Sequence, residues 1–285
     1  MKERPSFPAR LDLKPAKPQP ANPTKAQVVA TSPKPAASPP KPASPKTRPE
    51  VALRGRAAAP VSTVQGVGLE SQAVRQRMVQ RLSRDGIEDA MVLRAMTEVE
   101  RHRFVDSALV NQAYEDTSLP IGLGQTISKP SVVARMIALL REGAKLRING
   151  KLGRVLEIGT GCGYQAAVLS QVAKEVYSIE RLRGLHERAV DNLRHLRQPN
   201  LHLLLGDGML GYAQGAPYAG IIAAAGGEAL PQAWLDQLDV GGRLVAPMVT
   251  AHGQQALVVV DRTPQGLQQQ ILEAVHFVPL KSGIA

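Results

Sequence analysis

The sequence has little of what disulfide-bonded, metal-bound or membrane proteins are built from. Its single cysteine, Cys162, excludes a disulfide framework and a cysteine-based zinc site, and it favours a reducing compartment. The six histidines are scattered without ligand spacing, and no apolar run approaches the roughly 20 residues needed to cross a bilayer. We therefore expect a cytoplasmic protein that binds no metal and no membrane.

Acidic residues are scarce in the first 60 positions. This stretch holds 14 of the 22 prolines and 12 Lys/Arg against 3 Asp/Glu, so it carries most of the formal net charge of +11. Such a composition cannot bury enough apolar surface to offset its ordering entropy. We predict that residues 1–65 form a disordered Pro/Ala/Lys-rich tail, either a solvated linker or a weak docking arm for nucleic acid or an acidic partner.

From about residue 70 the pattern becomes amphipathic. Apolar residues at helical spacing predict helices over about 70–85 and 89–100 and a longer helix after Pro130, with an ordered glycine-rich loop before Gln125. Short apolar strands then alternate with helices. The last two strands, in QQALVVVD and QQQILEAV, alternate in a way that suits an antiparallel pair.

This order of elements predicts an α/β fold. We expect a doubly wound, Rossmann-like sheet that is mostly parallel and has an antiparallel C-terminal edge. It would form one domain over residues 66–285, with a helical cap over about 70–150 and the sheet core over about 151–285.

The segment VLEIGTGCGYQAAVLSQVAKEVYSIE, residues 155–180, predicts one unit of strand, turn, helix and strand. The run VLEI suits a strand buried on both faces, and the glycines let the following turn bring bare backbone against a ligand. Glu180 closes the second strand, where a carboxylate can accept both hydroxyls of a ribose. We therefore expect a nucleoside-cofactor site that includes Gly159, Gly161, Gly163 and Glu180.

The glycine spacing separates two kinds of cofactor. In the dinucleotide fingerprint G-x-G-x-x-G/A the third small residue allows close packing near a pyrophosphate, but here Tyr164 holds that position. The pattern E-x-G-x-G-x-G, which starts at Glu157, instead resembles the first motif of class I S-adenosylmethionine (AdoMet) methyltransferases. Their ligand has no phosphate, and an acidic residue before the turn suits a sulfonium cation and an amino-acid moiety. The alternative is a turn without a ligand.

A second cofactor contact is expected where the strand LHLLL ends in Gly-Asp-Gly. Ligands of open α/β sheets bind at the carboxyl ends of strands, so Asp207 would face the same crevice as Glu180. Its carboxylate can accept from an adenine amino group, and Gly208 can leave room for the ring. The alternative is a plain Asp-Gly turn.

Several segments resemble the protein-L-isoaspartate O-methyltransferase family. They are AYEDTSLPIGLGQTISKP, VLEIGTGCGYQAAVLS, GDG with the later APY, GGRLVAP and FVPL, spread over residues 72–283. The resemblance implies transfer of a methyl group from AdoMet to the free α-carboxylate of L-isoaspartyl residues in damaged proteins. The partners would be damaged proteins and peptides, and we expect the enzyme to be a monomer.

The acceptor side of such a site needs positioning more than a base, because a carboxylate is already ionised at pH 7. The resemblance assigns the hydroxyl that holds one carboxylate oxygen to Ser128, and it places Ile127 and Ala224 beside the acceptor. From the residues alone, Ser128 can also be an N-cap of the helix that follows it. Both roles are compatible.

The chain departs from the family pattern on its acceptor side. The segment Ala223–Gly227 stands where relatives carry Thr-Ala-Ala-(Ala)-Pro, Glu100 replaces a proline before Arg101, and His276 replaces an arginine before FVPL. The cofactor residues are intact. Acceptor affinity or preference is therefore the point that the sequence leaves open.

Two other functions are compatible with the predicted fold. A methyltransferase for RNA bases or small molecules is expected to carry an acceptor motif such as an Asp/Asn-Pro-Pro-aromatic loop, and none follows the strand GIIAAA. A non-catalytic binding module with this fold is expected to lose the cofactor acids. Glu157, Glu180 and Asp207 are all present.

Overall fold

The structure, a computed structural model, describes residues 72–143 and 149–285. The predicted tail over residues 1–65 lies outside the described residues. Within the described ranges, no helix is long and apolar enough to span a membrane.

Three helices precede the sheet, as predicted. Helix α1 spans Gln72–Arg84, α2 spans Ala90–Glu98 and α3 spans Pro130–Gly143. Helix α2 begins where its N-cap, Asp89, accepts hydrogen bonds from two backbone amides of the first turn. The apolar faces of these helices pack into the same core as one face of the sheet.

The sheet has seven strands, β3 Leu152–Ile158, β4 Ala173–Glu180, β5 Leu201–Leu205, β6 Tyr218–Ala223, β7 Leu238–Val249, β8 Gln255–Thr263 and β9 Gly266–Ala274. Their order in the sheet is β5-β4-β3-β6-β7-β8-β9. The first five in this order are parallel, and β8 and β9 are antiparallel. This confirms the predicted mostly parallel sheet with an antiparallel C-terminal edge.

Helices alternate with the parallel strands and separate two apolar cores. Helix α4 spans Tyr164–Val172, α5 spans Arg183–Leu193 and α6 spans Gln232–Gln237. On one face of the sheet, side chains such as Val155 pack against helices α1 to α5. On the other face, side chains such as Leu156 form a smaller core that includes the only tryptophan, Trp234. Alternation along β3 therefore buries both faces, as expected for a parallel strand.

The segment before α3 differs from the prediction. We expected an ordered loop, but Leu119–Gly122 (β1) and Gln125–Ile127 (β2) form a two-stranded antiparallel hairpin. Two glycines with positive φ, Gly122 and Gly124, make the turn. The prediction was wrong because the strands are only four and three residues long, too short for an alternating pattern to stand out from the turn residues.

Candidate cofactor and acceptor site

The candidate site lies where the strand order reverses. Chain order runs outward from β3 to β5 and then returns to β6 on the other side of β3, so the carboxyl ends of β3 and β6 flank a crevice. A backbone hydrogen bond of 2.8 Å from Ala224 N to Ile158 O joins these two ends. A cavity of about 450 Å³ opens here, a size typical of small-molecule sites.

Seven of the ten sequence-predicted site residues line this cavity. They are Ile127, Ser128, Gly159, Gly161, Glu180, Gly208 and Ala224. The expected acceptor residues and the expected cofactor residues are thus brought to one space. The other three, Glu157, Gly163 and Asp207, are absent from the lining and lie behind or beside it.

Glu180 is the acidic group at the cavity wall. Its side chain is almost fully buried. One carboxylate oxygen accepts from Gly161 N at 2.8 Å and the other from Leu182 N at 2.9 Å. These two bonds fix the carboxylate plane and leave further lone pairs on both oxygens. The group can therefore accept two more hydrogen bonds from a ligand in the cavity.

The glycines of the turn are required by close packing. Gly163 has φ 92°, and a Cβ there would lie 2.8 Å from Leu193 Cδ1 of α5. At Gly208, a Cβ would lie 2.6 Å from Ile158 Cγ2. Gly163 therefore allows the turn to pack against α5, and Gly208 allows the end of β5 to pack against Ile158.

Glu157 is a buried carboxyl behind the turn. It has no exposed surface, and one of its oxygens accepts a short hydrogen bond from Ser178 Oγ. Ser178 Oγ is also 2.6 Å from Thr160 Oγ1, which belongs to the turn. Desolvation by burial raises the pKa of Glu157 to about 8. Glu157 is not among the residues that line the cavity, whereas Gln165 is, so the expected contact of Glu157 with a cofactor cation stays a prediction.

Asp207 accepts a hydrogen bond from one backbone amide on each of its carboxylate oxygens. Its Oδ1 accepts from Met209 N at 2.9 Å, which caps a short 3₁₀ turn. Its Oδ2 accepts from Gly283 N at 2.6 Å. The aspartate therefore ties the end of β5 to the C-terminal segment at the edge of the cavity.

That C-terminal segment, residues 275–285, forms a strap beside the cavity. Val278 O and Leu280 N bond to Gly226, and Ala285 N donates to Arg181 O at 2.9 Å. Val278, Pro279, Leu280 and Lys281 line the cavity. Local sequence signals did not predict these contacts, although FVPL was among the segments that carried the resemblance. The altered residue Gly226 thus binds the strap.

The hairpin covers the cavity from another side. Arg188 Nη1 of α5 donates to Ile121 O of β1 at 2.7 Å. Leu123 at the hairpin tip lines the cavity although it is 62% exposed, and it holds a left-handed backbone with φ 51°. Sequence reasoning did not select Leu123, because nothing in a single sequence marks a leucine for this conformation.

Ser128 lies between β2 and α3. Its side chain lines the cavity, and within the described residues its hydroxyl makes no hydrogen bond to the start of α3. The cap comes from Asp116 instead, which accepts from Ser131 N at 2.9 Å and from Ser131 Oγ at 2.8 Å. The alternative reading of Ser128 as the N-cap is therefore not what the structure shows.

No cluster of three or more His, Cys, Asp or Glu side chains in the described ranges is arranged to hold a metal ion. Cys162, the free cysteine, is buried and lines the cavity. Burial raises the pKa of its thiol. The site thus combines a fixed carboxylate, bare glycine backbone and a free hydroxyl around one cavity.

Comparison with known proteins assigns the chain to a family. The family model described as protein-L-isoaspartate(D-aspartate) O-methyltransferase (PCMT) matches residues 73–285. The protein-L-isoaspartate O-methyltransferase of Methylibium petroleiphilum is 59% identical over 249 residues, which are 85% of this chain and 90% of that protein. The enzyme of the same name from Leptothrix cholodnii is 64% identical over 221 residues, 76% and 77% of the two chains.

Solved structures agree with this assignment. A protein-L-isoaspartate O-methyltransferase structure superposes with a TM-score of 0.65 at 28% identity, covering 74% of this chain and 67% of that one. A putative Plasmodium falciparum protein-L-isoaspartate O-methyltransferase, crystallised with S-adenosyl-L-homocysteine, shares the fold with a TM-score of 0.60 at 23% identity, covering 73% and 98%. The chain belongs to the protein-L-isoaspartate(D-aspartate) O-methyltransferase family.

Proposed function

We propose that this chain transfers a methyl group from AdoMet to the free α-carboxylate of L-isoaspartyl residues in damaged proteins. The observation that carries the proposal is that Ser128 and Glu180 line one cavity at the strand-order reversal. Family membership supports the same reaction. It does not favour the two alternatives, another class of acceptor or a non-catalytic module.

We assign the cofactor side to the turn and the strand ends. The free lone pairs of Glu180 suit the two hydroxyls of a ribose. Gly159 and Gly161 present backbone without side chains, and Gly208 and Ile158 line the same cavity, where we place the flat adenine ring. Asp207 accepts from the adenine amino group in this proposal, on a carboxylate that also holds the strap.

We assign the acceptor side to the end of the hairpin. Ser128 donates its hydroxyl to one oxygen of the acceptor carboxylate, which leaves the other oxygen free to attack. Ile127 and Ala224 border the same space and provide apolar walls beside it. Because Asp116 already caps α3, the Ser128 hydroxyl has no competing partner there.

The chemistry asks the protein to align reactants. AdoMet supplies an electrophilic methyl carbon on a positively charged sulfur. The acceptor oxygen forms a bond to this carbon while the carbon–sulfur bond breaks, so an anion and a cation give two neutral products. No proton is removed, and the residues of the site contribute by fixing oxygen, carbon and sulfur in line.

One assay tests the proposed function. Purified enzyme is given AdoMet with a labelled methyl group and either an isoaspartyl peptide or its normal aspartyl twin. We expect base-labile label in the isoaspartyl peptide alone. Equal labelling of both peptides, or labelling of neither, contradicts the proposed acceptor.

Finer properties stay predictions. We propose a cytoplasmic location, supported by the single cysteine and its fit to a reducing compartment. A monomeric state, weak contacts of the basic tail with nucleic acid, and the boundary between a cap over about 70–150 and a core over about 151–285 are proposals of the same kind.

A further inference from the structure

Arg101 is a fully buried cation next to the site. It begins a 3₁₀ turn, Arg101–Phe104, and has no exposed surface. Its Nε donates to Ala113 O at 2.8 Å and its Nη2 to Thr117 O at 3.3 Å. Its Nη1 is also buried and has no hydrogen-bond partner among the described residues.

The charge of Arg101 has no counter-ion in the described part of the chain. None of the ion pairs formed there includes Arg101. Arg141, another buried arginine, shows the usual arrangement, since its Nε lies 2.7 Å from Asp89 Oδ2. Burial lowers the pKa of Arg101, but a guanidinium remains charged in proteins. An unpaired buried charge is costly unless another group compensates for it.

The guanidinium is one side chain away from the cavity. Its Cζ lies 4.9 Å from the ring centroid of Tyr164, and Tyr164 lines the cavity. The titratable groups that face Arg101 are Tyr164 and Cys162 at the glycine turn and Tyr114 and Asp116 in the preceding loop. The carboxylate of Asp116 is bound to Ser131 instead.

We propose that Arg101 is an electrostatic positioning residue that favours an anionic acceptor in the cavity and disfavours a cationic ligand. This inference rests on the proposed function, in which the acceptor is a carboxylate and the donor is a cation. The bound acceptor would supply the negative charge that Arg101 lacks. No contact with the substrate is required, because a buried charge acts through low-dielectric surroundings.

In this proposal Arg101 has opposite effects on the binding of the two substrates, AdoMet and the acceptor carboxylate. AdoMet carries one more positive charge than its product, S-adenosylhomocysteine. Arg101 therefore weakens the binding of AdoMet relative to the binding of the product. It strengthens binding of the acceptor carboxylate. Since methyl transfer neutralises both reactant charges, the effect falls mainly on binding and little on kcat.

The test compares Arg101→Gln with wild type, after wild type has shown methyl transfer to the isoaspartyl peptide. We expect the KM of the peptide to rise about tenfold and kcat to change less than about threefold. Calorimetry should show the affinity ratio of AdoMet to S-adenosylhomocysteine rising about tenfold. A unit charge on the order of 10 Å away at an effective dielectric constant near 20 gives effects of this size.

A purely structural role gives a different result. If Arg101 only holds the loop at Ala113 and Thr117, Arg101→Gln weakens the binding of the peptide, of AdoMet and of S-adenosylhomocysteine together. That outcome, or an unchanged affinity ratio, overturns the proposal. A wild type that fails to methylate the isoaspartyl peptide contradicts the proposed function, while the calorimetric ratio still tests the charge effect of Arg101.

Two further variants complete the experiment. Arg141→Gln is the matched control, because it removes a buried, ion-paired arginine outside the cavity and should lower stability without changing the ratio. Arg101→Lys keeps the charge at low pH, and burial lowers the pKa of a lysine by several units. In that variant the ratio should rise between about pH 6 and pH 9, and a ratio as flat as that of wild type overturns the proposal.

Discussion

Asp116 accepts two hydrogen bonds from Ser131, one from the backbone N–H of Ser131 at 2.9 Å and one from its hydroxyl at 2.8 Å. The start of α3 is therefore capped from a distant loop. Ser128, three residues earlier, is left without a capping duty and lines the cavity. Two serines that look alike in sequence thus have separable roles, one in stability and one in the proposed reaction.

Ser128→Ala should lose at least about tenfold in turnover on an isoaspartyl peptide. The removed hydroxyl is the proposed donor to the acceptor carboxylate, so the alignment for methyl transfer is lost. The melting temperature should stay within a few degrees of wild type, and AdoMet affinity should be retained. Steady-state kinetics, thermal unfolding and calorimetry measure these three quantities.

Ser131→Ala is the control for this variant. It loses the bond from the Ser131 hydroxyl to Asp116 and keeps the bond from the backbone N–H, so it should lose about 0.5–1.5 kcal/mol of stability, with turnover largely retained. Ser128→Thr keeps a hydroxyl and should keep much of the activity. Wild-type turnover in Ser128→Ala would move the search for the positioning group to the hairpin residues 122–126.

Glu180→Ala should weaken AdoMet binding about tenfold to a hundredfold. The variant loses charge-assisted hydrogen bonds worth about 1.5–3 kcal/mol, both to the ribose and to the turn amide of Gly161. Calorimetry measures the affinity directly. The affinity for S-adenosylhomocysteine should fall by a similar factor, since this molecule carries the same ribose.

Glu175→Ala serves as the comparison on the same strand. Glu175 lies earlier on β4, pairs at 3.9 Å with Arg154, and is outside the cavity lining. Its loss should leave AdoMet affinity unchanged. Equal affinity in wild type and Glu180→Ala would show that the carboxylate only supports the turn.

Much of the fold was predictable because it depends on local patterns. The apolar run before Gly159, the glycine turn and the carboxylate of Glu180 all lie within one continuous segment. The reversal of strand order then follows from general rules for parallel sheets. These features account for four of the seven expected residues that line the cavity, Gly159, Gly161, Glu180 and Gly208, while the other three were expected from the family resemblance.

The rest depends on contacts between distant positions. Asp207 reaches Gly283 across 76 residues, and Arg101 is buried against Ala113 and Tyr164 by the packing of three separate elements. No spacing rule marks these partners. Glu157 shows the same limit, since its sequence position does not reveal that its carboxyl is fully buried and bonded to Ser178.

Residues before Val67 should be dispensable for catalysis. They lie outside the described residues, and their proline-rich basic composition carries no cofactor or acceptor motif. A shortened chain beginning at Val67 should keep its turnover and its melting temperature. Loss of activity in the purified shortened enzyme, with an unchanged melting temperature, would assign the tail a part in acceptor binding.

Glu157 should make stability depend on pH. Its pKa is raised to about 8 by desolvation, from an ordinary value of 4.5. Between these values the unfolded chain has lost the proton while the folded protein keeps it, so stability falls as the pH rises through this window. The slope approaches about 1.4 kcal/mol per pH unit at most. Below the window both states are protonated, and above it both are ionised.

Glu157→Gln removes this slope, because a neutral amide of nearly the same shape replaces the carboxyl. The variant should be close to wild type in stability near pH 5 and more stable than wild type near pH 8. Denaturant unfolding of both proteins across this range, without cofactor, gives the difference at each pH, and the contributions of other groups cancel. A difference that stays constant from pH 5 to pH 8 would mean that the buried carboxyl is already ionised in the folded protein, with Ser178 and the polar side of the turn stabilising its charge.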